Sequence, residues 1–238
     1  MILAALLTLT ALSWLYLVWM PMSASDFGSI GARIAAPVPP TVVNLWLVFV
    51  MWVVMMVAMM LPSAAPMILT YAQIARGRDA DSIGRAWIFA AGYLAVWTIF
   101  SAGATMTQLV LQHATILSNA LSTSTTAGAV ILVVAGIYQL TPLKQVCLGH
   151  CQSPVAFFMS HWREGRGGAF RMGVAHGSFC VGCCWMLMLL LFAAGVMNLV
   201  WVAAIAAFVL IEKATPYPRA ISAVTGAGLV AWGILLGW

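Results

Sequence analysis

Three cysteines and a histidine share one turn-by-turn stripe in the stretch HGSFCVGCCWMLMLLL. At about 100° per residue, His176, Cys180 and Cys184 fall at i, i+4 and i+8, with Cys183 beside them. One helix face thus presents an imidazole and up to three thiols, a set suited to soft-metal binding or thiol redox chemistry. A second group, Cys147-Leu-Gly-His150-Cys151, lies one segment earlier. Cys147 and Cys151 are four apart, so a helical turn would aim both sulfurs one way. Cys180 and Cys183 have the C-x2-C spacing that can grip one ion. Zn(II) accepts four Cys or Cys/His ligands, whereas thiolate and thioether donors select Cu(I). Copper is the favoured ion and zinc the alternative. A methionine stripe, Met51, Met55 and Met59 with Met56 and Met60 adjacent, offers weaker soft donors; methionine is also a common filler of apolar gaps.

These groups must be held inside a membrane. Hydrophobic residues make up 64% of the 238 and charged residues only 6%, too few charges to cover a soluble surface. Spanning segments need about 20 apolar residues and satisfy their own backbone as helices. The sequence reads as one all-α domain over 1–238, a polytopic transmembrane bundle of about seven helices. They are expected near 2–20, 43–69, 86–111, 127–147, 172–195, 196–212 and 220–238. The first run reads as a membrane helix rather than a removed leader, because no basic stretch precedes it. Pro62 and Pro66 are expected to kink or end the second helix near Met60. Residues 141–171 read as the longest loop.

Basic residues select the cytoplasmic side of short loops. Arg76, Arg78, Arg85, Lys144, Arg163, Arg166, Arg171, Lys213 and Arg219 fall on one side of the expected topology, and only Arg33 on the other. The expected orientation in a bacterial inner membrane therefore has the N-terminus cytoplasmic and the C-terminus outside. All five cysteines then lie toward the cytoplasm, where thiols stay reduced. That favours thiolate ligands over structural disulfides. Glu212 and Lys213, ending the sixth helix, read as an interfacial ion pair or anchor, with Lys144 near enough to pair.

The segments MMVAMMLPSAAP, LKQVCLGHCQSPVAFF and GVAHGSFCVGCCWMLMLLLFAAGVMNLVWVAAIA, with a closing IEK, resemble a bacterial family of uncharacterised, predicted metal-binding integral membrane proteins. The resemblance spans roughly residues 43–235. It implies the membrane fold and a metal site at these cysteines and histidines, and carries no activity with it.

The first functional reading is a membrane protein that binds, handles or transports a soft metal through Cys147, His150, Cys151, His176, Cys180, Cys183 and Cys184. A membrane thiol oxidoreductase is the enzymatic alternative, although the charge count turns the cysteines away from the oxidising side. An accessory subunit or assembly factor of a larger metal-containing complex is the third. The partners expected are the lipid bilayer, a metal ion and other membrane subunits. No basic stripe with interleaved aromatics suggests nucleic acid, and no phosphate loop or Ser/His/Asp arrangement suggests hydrolysis.

Overall fold

A computed structural model describes residues 1–27, 42–77, 81–113, 125–196 and 198–237. Arg33, Arg78 and Trp238 lie outside them. Among the described residues there are nine helices and no strands. In chain order these are α1 (Ile2–Phe27), α2 (Val42–Arg76), α3 (Ser82–His113), α4 (Thr125–Gln139), α5 (Pro142–Gln152), α6 (Pro154–His161), α7 (Gly165–Ala194), α8 (Leu199–Ala214) and α9 (Pro218–Gly237). Five helices are long and apolar enough to cross a membrane, or six if α4 and α5, bent by 66°, form one broken span. The chain is a multi-pass membrane protein.

Helix length explains the architecture. At 1.5 Å per residue, α4, α8 and α9 run roughly 23–30 Å, no more than a hydrocarbon core, whereas α2, α3 and α7 run roughly 45–53 Å. The three long helices overshoot the short ones at one end. There Arg166 of α7 pairs with Asp81, just ahead of α3, at 3.0 Å. The short helices α5 and α6 pack onto this overhang: Tyr71 of α2 meets Phe158 of α6 at 5.6 Å between ring centroids, and Phe89 of α3 meets Phe158 at 5.7 Å. The stretch expected as a long loop over 141–171 is therefore mostly helical. Pro142 and Pro154 each open a helix at its first turn, where a missing N–H costs nothing. The fifth expected helix also begins earlier, at Gly165.

The prolines do not end α2 near Met60; the helix continues through Pro62 and Pro66 to Arg76. A proline at 62 removes the N–H that would bond the Ala58 carbonyl. Trp14 of α1 supplies the replacement: its indole N–H donates to Ala58 O at 3.2 Å. In lipid such a carbonyl must find a partner, and here a neighbouring helix provides one.

The α3–α7 contact is backbone on backbone. A side chain at Gly173 would run into the Phe89 carbonyl, and one at Gly177 would sit 3.1 Å from the Tyr93 carbonyl. Two small residues four apart let the helices close, as in other membrane packings. This approach fixes Tyr93 against the cysteine stripe. Gly195, at φ 95°, closes α7 and starts the short return into α8.

Candidate metal centre

The centre is built on α7. Cys180, Cys183 and Cys184 are free thiols and almost wholly buried. The thiols of Cys183 and Cys184 both donate to the Cys180 carbonyl, at 3.1 and 2.9 Å. Cys180 itself is met from three other helices. From α3, the Tyr93 hydroxyl lies 3.1 Å from its sulfur and 3.2 Å from the Met60 carbonyl. From α8, the Lys213 ammonium donates to it at 3.0 Å and to Ser63 at 3.0 Å. From α5, the buried Cys151 faces Cys180 and Cys183 closely enough to interact with them electrostatically. Cys147, one turn earlier on α5, fills the space left by Gly182: a Cβ there would lie 2.8 Å from its sulfur. Tyr138 of α4 donates to the Gly182 carbonyl and fixes that turn.

The methionine stripe lies wholly inside. Met51, Met55, Met56, Met59 and Met60 are all buried on α2. Met60 is the one placed against a thiol, with its Sδ 3.9 Å from Cys184 Sγ. Two sulfurs each about 2.3 Å from one ion, at trigonal or tetrahedral angles, are roughly 3.8–4.0 Å apart. The pair thus already has the spacing of one coordination sphere. Among the described residues, no three His, Cys, Asp or Glu side chains form a ready cage. The thiols of Cys183 and Cys184 are hydrogen-bonded to the Cys180 carbonyl, so ligation requires the loss of those protons. The donor chemistry fits Cu(I): the sulfurs are soft, dry and close together.

His176 sits one turn from Cys180 and is 2% exposed. Its ring stacks against Tyr93 at 5.4 Å and Phe89 at 6.1 Å between centroids. Neither ring nitrogen has a hydrogen-bond partner among the described residues. An unpaired buried polar group carries a desolvation cost of about 1–3 kcal/mol, which a ligand or a bound water would offset. His150 takes a different position. It stacks on Phe179 at 4.2 Å and stands 6.1 Å, centroid to centroid, from His161 at the end of α6.

Two lysines read as surface charges from sequence turn inward, Lys144 fully buried and Lys213 half-buried. Lys144 of α5 pairs with Glu212 of α8 at 2.6 Å, with both side chains at most 1% exposed. Gln139 and Ser222 complete the network, Ser222 donating to Glu212 at 2.6 Å. The Lys144–Glu212 pairing expected from sequence is present; the role of Lys213 beside Cys180 was missed. A residue count could have found it. Cys180 lies fifteen residues before Gly195 and Lys213 fifteen after Asn198, so a tight helical hairpin sets them level.

No curated protein and no solved structure matches this chain. One family profile does: PpoB2, described as copper chaperone, over residues 49–236. That span contains every cysteine and histidine discussed above, and it names a cargo where the sequence resemblance gave only a metal. The protein therefore belongs to the PpoB2 family of copper chaperones.

Proposed function

We propose that the chain carries Cu(I) as cargo among the buried sulfurs of Cys151, Cys180, Cys183, Cys184 and Met60. Cys147 and His176 stand at the edge of the same group. The observation that carries this reading is the meeting of soft donors from two helices, with Met60 Sδ 3.9 Å from Cys184 Sγ beside the buried thiols of Cys180 and Cys183. Thioether and thiolate sulfur select Cu(I) over harder ions. The metal-binding form of cysteine is the thiolate, and Lys213 sets a cation against the Cys180 sulfur. A chaperone must release as well as bind, and a site mixing thiols with one weaker thioether suits that requirement.

The orientation proposed is that of the charge count, with the overhanging end of α2, α3 and α7 in the cytoplasm. Lys144 and Lys213 no longer count as loop charges, because both are turned inward. Arg76, Arg85, Arg163, Arg166 and Arg171 still gather at that end.

Copper and zinc content of the purified protein, beside a C180S/C184S variant, tests the assignment. Copper bound by the natural sequence, with sulfur neighbours near 2.3 Å by X-ray absorption, and lost from the variant is the expected result. Equal copper in both would remove it. Labelling of an introduced cysteine at Arg163 from either face of intact cells tests the orientation.

A further inference from the structure

The imidazoles of His150 and His161 meet outside the fully buried thiol stripe, half-buried rather than sealed, with His150 stacked on Phe179 and His161 on Phe157. His150 Nδ1 is 2.9 Å from the Val146 carbonyl. His161 Nδ1 is 3.2 Å from the Phe157 carbonyl and 2.8 Å from Ser160 Oγ. A carbonyl can only accept, so where Nδ1 of His150 bonds the Val146 carbonyl it carries the hydrogen and leaves the lone pair on Nε2; His161 takes the same form when its Nδ1 donates to Phe157 O. Two imidazoles held in the Nε2-lone-pair tautomer by backbone carbonyls have the outer support that metal-ligating histidines show. Their ring centroids are 6.1 Å apart. With metal–nitrogen bonds of about 2.0 Å, two rings on one ion have centroids roughly 5–6 Å apart.

A cavity of about 200 Å³ opens beside His161, lined also by Arg163, Arg171, Met172 and Ala175. It touches the outer end of a donor ladder on α7. Met172, His176, Cys180, Cys184 and Met188 recur every four residues, and all are buried. Successive donors are separated by roughly 6 Å along the helix. Phe157 links the two groups, stacking on His161 at 4.8 Å and meeting His176 at 5.6 Å.

We propose that His150 and His161 form a second, outer copper site, from which Cu(I) passes by Met172 and His176 to the thiols. The inference rests on the proposed function only for the ion's destination; the outer site stands or falls separately. The path starts at imidazole nitrogen and ends at thiolate sulfur, the softer donor, so the ion ends in tighter binding with no change of oxidation state. Arg163 and Arg171 at the mouth set positive charge near the outer ion and keep its residence short.

The test uses the full chain in detergent, titrated anaerobically with Cu(I) alone, beside an H150F/H161F variant that keeps the ring stacking. The natural sequence is expected to bind copper in two classes, the weaker one nitrogen-ligated by X-ray absorption. The variant should lose only the weaker class and load its sulfur-ligated copper about tenfold more slowly. Identical copper count, spectra and loading rate in the two proteins would overturn the outer site. A C180S/C184S protein separates the two proposals: nitrogen-ligated copper retained there, and lost on adding H150F/H161F, supports the outer site. If the natural sequence shows no sulfur-ligated copper while that nitrogen-ligated copper persists, the thiol reading fails and the outer site survives.

Discussion

Lys213 Nζ lies 3.0 Å from Cys180 Sγ, joining the end of α8 to the cysteine stripe of α7. It is a cation placed against the sulfur that four helices converge on. A buried ammonium is costly unless its hydrogens are used, and here Ser63 and Cys180 use two of the three. The pairing makes Lys213 part of the cargo site rather than an anchor at the lipid surface.

Replacing Lys213 by Met removes the charge and keeps the stem. A hydrogen bond to a charged group contributes about 1.5–3 kcal/mol, so Cu(I) affinity should fall by at least about tenfold. Lys213→Arg, which keeps the charge, should lose less. Competition titration against a Cu(I) chelator measures both, and equal affinities for Lys213→Met and the natural protein would leave Lys213 a packing residue.

Met60 and Cys184 should behave as one unit. Their sulfurs are in contact, and residues in contact show coupling of about 0.5–3 kcal/mol in double-mutant cycles. Met60→Leu and Cys184→Ser should each weaken copper binding, and the double variant should be little worse than Cys184→Ser alone. Strictly additive losses would place the two side chains on separate ions.

The Lys144–Glu212 pair should be felt mainly as stability. Removing one partner of a buried pair costs about 3–5 kcal/mol, because the other charge is left without compensation. Lys144→Met or Glu212→Leu alone should therefore unfold far earlier in a thermal melt in detergent, and the double variant should recover most of the loss. Since Lys144 anchors the helix bearing Cys147 and Cys151, the single variants should also bind copper more weakly.

Trp14→Phe should cost about 1 kcal/mol by stranding the Ala58 carbonyl. In a Pro62→Ala background the helix can bond that carbonyl itself, and the same change should be close to neutral. A cost unchanged by the proline replacement would mean that Trp14 acts by packing alone.

Residue types and their periods determined much of this protein. Apolar content and the scarcity of charge required membrane helices, because lipid leaves a backbone no other way to satisfy itself. The four-residue spacing of His176, Cys180 and Cys184 put them on one face before any neighbour was known, since that spacing is a property of the helix alone. The fate of α2 at Pro62 was different: it depended on Trp14, a donor from another helix, and no local pattern reports such a partner. The helices at Pro142 and Pro154 were hidden for a related reason, because each is short and takes its stability from the overhang it packs on. Only the tertiary structure could place Lys144 and Lys213 inside. A lysine near the end of an apolar run is equally suited to snorkelling outward or pairing inward, and the choice rests on whether Glu212 and Cys180 face it across the bundle. It also brought His161 to 6.1 Å from His150, ring centroid to ring centroid, because packing between helices decides which side chains from separate segments meet.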